Sequence, residues 1–234
     1  MLSIVVPAYN ESGRLPGSLR RMRQHFDALG EAYEVIVVDD GSGDDTYAQS
    51  LDLAADWPQL TVLQFDRNRG KGAAVREGML HARGEHRLFS DADLSTPLDE
   101  LPRLRARLQG RTQVAIASRG LAESQIEVHQ QKRRELMGRT YNRLLRLVVL
   151  RGIHDSQCGF KVFTAEAAVA CFEPLQTMRF GFDAEVLVRA KAHGWKIAEV
   201  PVRWHHVEAS RVNSVRDSSR MLWDLLRLRF RRLG

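Results

Sequence analysis

Short runs rich in Val, Ile and Leu near residues 2–6, 34–38, 60–65, 86–90 and 113–118 alternate with longer stretches of helical periodicity at 14–29, 44–56, 70–83 and 98–109. Strands that alternate with helices are joined by crossovers, and a crossover brings the next strand in parallel to the last. The rhythm therefore predicts an α/β chain with a central parallel sheet flanked by helices. Its 234 residues are enough for one domain of that kind, or at most two small ones. The punctuation agrees. Ser42-Gly43-Asp44-Asp45-Thr46 reads as a turn plus N-cap, Ser95-Thr96-Pro97 as a helix start with Pro in the first turn, and Gly110 as a C-cap.

Two of the predicted strands end in acid. Leu88-Phe89-Ser90 is followed at once by Asp91-Ala92-Asp93, and Glu34-Val35-Ile36-Val37-Val38 by Asp39-Asp40 and then Gly41-Ser42. An Asp-x-Asp triplet by itself is also an ordinary turn. Two strands that both finish in carboxylates point instead to one shared site at the C-terminal edge of the sheet, where open α/β folds bind ligands. Hard oxygen donors of this kind suit Mg²⁺ or Mn²⁺, with positions left over for substrate phosphate oxygens. Asp91 and Asp93 are the candidate metal ligands.

Two loops belong to the same edge. Pro7-Ala8-Tyr9-Asn10-Glu11 follows the first strand and offers an aromatic face and a carboxylate. Asn68-Arg69-Gly70-Lys71-Gly72 opens a helix, whose first N–H groups favour an anion, and Lys71 adds a cation for a nucleotide diphosphate. The Walker spacing of Gly-x₄-Gly-Lys-Ser/Thr is absent from this loop.

The second half is different in character. Residues 127–151 read as an arginine-rich amphipathic segment, and 221–232 as a basic amphipathic helix. Between them come His154-Asp155-Ser156-Gln157-Cys158-Gly159-Phe160-Lys161, a strand and helix ending near 173, a helix opening at Phe180-Gly181-Phe182-Asp183, and a strand-like stretch from Trp195 to Trp204. The net charge of +6 favours anionic partners. Two basic amphipathic segments are expected to lie on a membrane surface, arginines toward phosphate headgroups. No run approaches the ~18 apolar residues needed to cross a bilayer, and the first residues enter a strand without a signal-peptide pattern. The expected location is the cytoplasm, peripherally on the cytoplasmic face of the membrane. Cys158 and Cys171 form no metal-like spacing, which fits a reducing compartment.

Taken in order, strand-PAYNE, strand-DDGS, N-R-G-K-G and a strand ending in D-A-D resemble the nucleotide-sugar domain of family 2 glycosyltransferases of the GT-A fold. Asp155-Ser156-Gln157-Cys158-Gly159-Phe160-Lys161, Phe182-Asp183-Ala184-Glu185, Pro201-Val202-Arg203-Trp204 and Ser210-Arg211-Val212 narrow the likeness to dolichyl-phosphate β-glucosyltransferases. The resemblance implies a Rossmann-like, mostly parallel sheet in a single domain. Residues 1–120 would form the nucleotide-sugar half, and 121–234 the acceptor and membrane-surface half. It implies an inverting transfer of a hexose, glucose from UDP-glucose, to a polyprenyl or dolichyl phosphate. Pro7, Tyr9, Glu11 and Asp39 would contact the nucleoside, with Asp40 and Lys71 in the same nucleotide-sugar site. Asp91 and Ala92 would lie beside ribose and diphosphate, with Asp93 the leading metal ligand. Ser118 and Arg119 would meet the acceptor phosphate, Asp155 and Gln157 would close over the sugar, and Asp183 would orient it. Arg211 would close on the diphosphate. The membrane anchor of eukaryotic members and the C-terminal transmembrane helices of many bacterial relatives do not occur in this sequence.

Three alternatives stay open at this point. One is a family 2 transferase with another donor, such as GDP-mannose, or with a soluble polysaccharide acceptor. A nucleotidyltransferase would carry a glycine-rich loop where Pro7-Ala8-Tyr9-Asn10-Glu11 stands. A nucleic-acid binder is suggested by charge alone, and clustered carboxylates oppose it, so no specific nucleic acid is expected.

Overall fold

The structure is a computed structural model that describes residues 1–128, 150 and 152–205. The first half follows the expected rhythm: β1 (Leu2–Ala8), α1 (Leu15–Leu29), β2 (Tyr33–Asp39), α2 (Thr46–Ala55), β3 (Leu60–Gln64), α3 (Lys71–His81) and β4 (His86–Ser90). A 3₁₀ turn at Leu98–Glu100 then leads into α4 (Leu101–Arg105) and β5 (Thr112–Ser118). After them come β6 (Gln125–Val128), β7 (Phe160–Thr164), α5 (Ala165–Phe172), α6 (Phe182–Ala192), β8 (Lys196–Pro201) and β9 (Arg203–His205).

The strands form because their residues are apolar on both faces. All seven residues of β1 and all seven of β2 are buried, as expected for strands covered by helices on each side. Successive side chains of β1 enter opposite layers: Val5 packs with α3, α5 and α6, whereas Ile4 and Val6 pack with Leu15, Leu19, Met22 and Phe26 of α1. The α1 residues recur at helical spacing, and the helix stops at Gly30, whose φ of 65° suits a residue without Cβ.

The main sheet has the order β3-β2-β1-β4-β7-β5-β8. Neighbouring pairs are parallel except where β7 lies antiparallel between β4 and β5. The chain works outward from β1 to β3, then returns to place β4 on the other side of β1. That reversal opens a crevice beyond the carboxyl ends of β1 and β4. Because β7 runs the other way, it starts at this same rim, with Phe160 opposite Ser90. The loop before it is thereby delivered to the acids after β4. The main-sheet partners of β5 are β7 and β8, both from the second half of the chain.

Several sequence expectations change in detail. The helix expected over 98–109 shortens to a 3₁₀ turn and α4, and Gly110, at φ 56°, serves the turn into β5 rather than capping that helix. The stretch from Trp195 to Trp204 divides between two sheets: β8 edges the main one, while β9 pairs in parallel with β6 in a separate ribbon. Glu127 and Val128, expected to begin an amphipathic segment, are strand residues of β6. The rest of that segment, the 221–232 helix and Arg211 lie outside the described residues. Among the described residues, no helix is long and apolar enough to cross a membrane.

Candidate active site

The loop after β1 is built onto the loop after β2. Asn10 N donates to Ser42 Oγ at 2.8 Å, Gly43 N to Asn10 Oδ1 at 2.8 Å, and Glu11 N to Thr46 Oγ1 at 2.7 Å. Ser12 gives both its N–H and its hydroxyl to Asp44, whose other oxygen accepts from Thr46 N at the start of α2. Against the opposing effect of burial, donation from the Thr46 and Ser12 hydroxyls holds the Asp44 carboxyl at about 2. The result is a rigid rim that presents Tyr9 outward, with 42% of its surface exposed.

The two acids after β2 serve structure first. Asp39 is fully buried and accepts from Ser42 N, Ser42 Oγ and Gln64 Nε2. It is not among the cavity-lining residues. Asp40 accepts from Asn68 Nδ2 at 2.9 Å, Arg69 N at 2.6 Å and Gly70 N at 2.9 Å. It thus ties the Asn68–Gly72 loop to the sheet edge and aims α3. Burial nevertheless pushes the Asp40 carboxyl above its usual range. Gly70 has φ 107°, and a Cβ there would stand 2.4 Å from the Met178 carbonyl oxygen. Only glycine allows this approach.

A cavity of about 320 Å³ opens at the crevice between β1 and β4. Pro7, Tyr9 and Glu11 line one part of it, and Lys71, Asp91, Ala92 and Asp93 another, with Asp40 between loops. Arg14, Asn68, Arg179 and Phe180 also line it, and the motif reading had not assigned these to the site. Arg14 has a signal in the sequence, since a cation at a helix start opposes the dipole and asks for a counter-charge. Burial works against its charge, but Glu11, Asp93 and Asp91 together hold its pKa above the usual value.

Lys71 Nζ lies 2.6 Å from Asp91 Oδ1 and faces the Phe89 ring at 5.3 Å. Burial disfavours its charge, yet Asp91 and Asp183 keep the ammonium above its ordinary pKa. Asp91 N donates to Gly159 O at 2.9 Å, and a Cβ on Gly159 would lie 1.9 Å from Asp91 Oδ2. Asp93 Oδ1 accepts from Ser95 N at 2.9 Å in a tight turn, while Oδ2 of Asp93 has no donor among the described residues. Two carboxylates on one cavity wall, one with an uncommitted oxygen, fit a divalent cation that completes its shell with substrate phosphate and water. Among the described residues, no group of three or more His, Cys, Asp or Glu side chains surrounds a metal position. Such a cation would find Asp91 and Asp93 as its candidate protein donors among the described residues.

A second cluster lies behind the rim. Arg119 grips Asp155 through Nε at 2.6 Å, Nη2 at 2.9 Å and its backbone N at 3.1 Å, with its guanidinium 5.3 Å from the Trp204 ring. Burial alone would raise the Asp155 carboxyl, but the Arg119 guanidinium pulls it down to about 2. Asp155 N and His154 N both donate to Glu199, which steadies the turn from below, and Gln157 N donates to Asp155 Oδ1. Ser118 is buried, its hydroxyl accepting from Gly120 N, so Arg119 rather than Ser118 presents polar atoms here. Asp183, in the first turn of α6, receives Lys161 Nζ at 2.5 Å. Burial raises the Asp183 carboxyl despite Lys161 and Lys71. Lys161 stands out in the sequence as a lone charge in the run Phe160-Lys161-Val162-Phe163. Cys158 is buried, and burial pushes its thiol up to about 11, which makes it inert at neutral pH.

Residues 3–172 match the sequence pattern of Glycosyl transferase family 2. A dolichyl-phosphate β-glucosyltransferase of Trichomonas vaginalis is 36% identical over 90% of this chain and 65% of its own length. The dolichyl-phosphate β-glucosyltransferase of Saccharomyces cerevisiae is 32% identical over 97% of this chain and 74% of its own length. The chain thus spans about two thirds of the first relative and about three quarters of the second. In fold, it is similar to glucosyl-3-phosphoglycerate synthase from Mycobacterium tuberculosis in complex with Mn²⁺, UDP-glucose and phosphoglyceric acid. The TM-score is 0.70 at 19% identity, covering 98% of this chain and 79% of the other.

Proposed function

Because the chain belongs to glycosyl transferase family 2, we propose that it moves glucose from UDP-glucose to a dolichyl or related polyprenyl phosphate, with inversion at the anomeric carbon. The observation that carries this reading is the convergence of Tyr9, Glu11, Lys71, Asp91 and Asp93 on one cavity at the sheet's switch point. An aromatic face, a cation and a carboxylate pair in one crevice are what a nucleoside, a diphosphate and its counter-ion require. The names of the relatives supply the sugar and the acceptor class.

In this reading Pro7 and Tyr9 cradle the base, Glu11 meets its polar edge, and Asp39 acts from beneath by holding the Ser42 turn. Lys71 binds the diphosphate, with Asp40 fixing the loop that carries it, and Ala92 keeps the floor small. Asp91 and Asp93 would hold Mg²⁺ or Mn²⁺, which when bound offsets charge on the departing diphosphate. An acceptor phosphate oxygen forms the new bond to the anomeric carbon as the bond to the UDP oxygen breaks, and UDP leaves with the electron pair. The phosphate is already anionic, so no proton has to be removed from it. Arg119, anchored on Asp155, can still offer Nη1 to that phosphate without competing for the attacking lone pair. Gln157 and Asp183 orient the sugar hydroxyls. The basic stretches at 127–151 and 221–232 would bring the protein to the cytoplasmic face of a membrane, where a lipid phosphate is presented. Arg211 would close over the diphosphate.

The decisive experiment supplies Mg²⁺ or Mn²⁺, a polyprenyl phosphate and a panel of labelled nucleotide sugars. Label passing into the organic phase from UDP-glucose is the expected result. Transfer from GDP-mannose instead would overturn the donor, and transfer only to a water-soluble acceptor would overturn the lipid.

A further inference from the structure

Glu11 and Arg14 stand side by side because the turn into α1 puts them there: Arg14 N and Leu15 N both donate to the Glu11 carbonyl, at 3.0 and 2.9 Å. Both side chains line the cavity on the loop that carries Tyr9. Arg14 Nε donates to Glu11 Oε2 and Nη2 to Oε1, so the guanidinium takes the carboxylate with two parallel N–H groups. The third nitrogen, Nη1, is buried with no hydrogen-bond partner among the described residues. The pair is thus saturated on one face and unsatisfied on another.

That arrangement has a consequence for the base. A carboxylate has one face on which both oxygens can receive parallel donors, and here Arg14 fills it. Guanine presents two adjacent donors, N1–H and the N2 amino group, which need that same face. Uracil presents a single N–H flanked by two carbonyls. Glu11, with its outer lone pairs left, can accept the single donor. We infer that Arg14 is a specificity-determining residue of the nucleotide site, favouring uracil over guanine by occupying the face of Glu11 that guanine would need. The inference rests on the reading that the cavity takes a uridine nucleotide. Discrimination of this kind works by obstruction as much as by attraction.

The test is calorimetric titration of UDP and of GDP, each with Mg²⁺, into the wild-type protein, Arg14→Ala and Arg14→Lys, with circular dichroism to confirm folding. The wild type is expected to prefer UDP, and Arg14→Ala to narrow the preference by about tenfold, the scale of one two-pronged contact, chiefly through tighter GDP binding. Arg14→Lys keeps the charge without the fork and is expected to narrow it as well, so it decides the matter if the alanine variant does not fold. An unchanged ratio in a folded variant overturns the inference, and so does an equal loss of both nucleotides, which would make Arg14 a general binder. If the wild type itself prefers GDP or binds neither nucleotide, the uridine reading fails and takes this inference with it.

Discussion

Lys71 Nζ sits 2.6 Å from Asp91 Oδ1, joining the first residue of α3 to the residue just beyond β4 across the mouth of the cavity. The contact depends on two other acids. Asp40 anchors the loop before α3 through Asn68, Arg69 and Gly70, and Asp183 adds its attraction to the ammonium from behind. The carboxylates at this edge therefore divide their labour, some holding the scaffold and others left facing the ligand.

Asp93 belongs to the second kind. Its replacement in Asp93→Ala removes one turn hydrogen bond and the proposed cation ligand, and is expected to lower transfer by about 10²–10³-fold, the scale of losing one group that stabilises developing charge. Thermal melting should stay near wild type, and Mn²⁺ titration with UDP present should show weakened uptake. Unaltered turnover would remove Asp93 from the metal site.

Gly159→Ala addresses the same site from the opposite wall. Its methyl group would fall 1.9 Å from Asp91 Oδ2, so Asp91 has to turn away. UDP binding with Mg²⁺ is expected to weaken by at least about tenfold, since a shift of ~1 Å in a positioned group is costly. Calorimetry on a variant that melts as a single cooperative unit would check it, and wild-type affinity would contradict it.

Lys161 and Asp183 form a buried pair. Lys161→Met strands the carboxylate and should cost about 3–5 kcal/mol in urea unfolding, whereas Lys161→Met with Asp183→Leu should recover much of that loss. Strictly additive costs in this double-mutant cycle would show that the two side chains are not coupled.

Acid should act through Asp155. Its folded carboxyl lies at about 2, below the usual carboxylate range, so it contributes stability at pH values above the unfolded pKa. That contribution, about 2 kcal/mol, is lost as pH falls from roughly 4 toward 2, because the unfolded chain binds the proton first. Melting temperature followed across this range should drop more steeply in the wild type than in Asp155→Asn. Parallel curves would assign the acid limb to other carboxylates.

Arg119→Lys keeps a cation but loses the two-pronged grip on Asp155. The apparent KM for the lipid phosphate is expected to rise by at least about tenfold, on the order of the ~1.5–3 kcal/mol of a charged hydrogen bond, with UDP affinity unchanged. An unchanged lipid KM would separate Arg119 from acceptor binding.

Much of this architecture was legible in the sequence because its strongest signals are local. Val35 to Val38 can only be a strand buried on both faces, and the acids at 39–40 and 91–93 announce the rim by following such strands directly. The antiparallel sense of β7 was not legible, because a five-residue apolar run carries no direction. The division of the stretch from 195 to 204 also escaped notice. Pro201, which lacks an N–H, ends the edge strand β8, and one residue later the chain starts a pairing with Gln125–Val128 that depends on distant sequence. The helix expected over 98–109 is short because Pro97 and Pro102 bracket its start and the chain has turned toward β5 by Gln109. At the site, motif spacing found Tyr9, Glu11, Lys71, Asp91 and Asp93. It missed Arg179 and Phe180, which reach the cavity only through the packing of the segment before α6 against Gly70.

The position of β5 bears on how this protein could be cut or rebuilt. A fragment ending near residue 120 would keep β5 while discarding both of the strands that flank it in the main sheet, leaving a bare, sticky ribbon beside a pocket stripped of Arg179 and Phe180. Engineers wishing to graft a new acceptor module would do better to insert into surface turns than to exchange the halves, since the seam they would have to sever runs through the middle of the sheet.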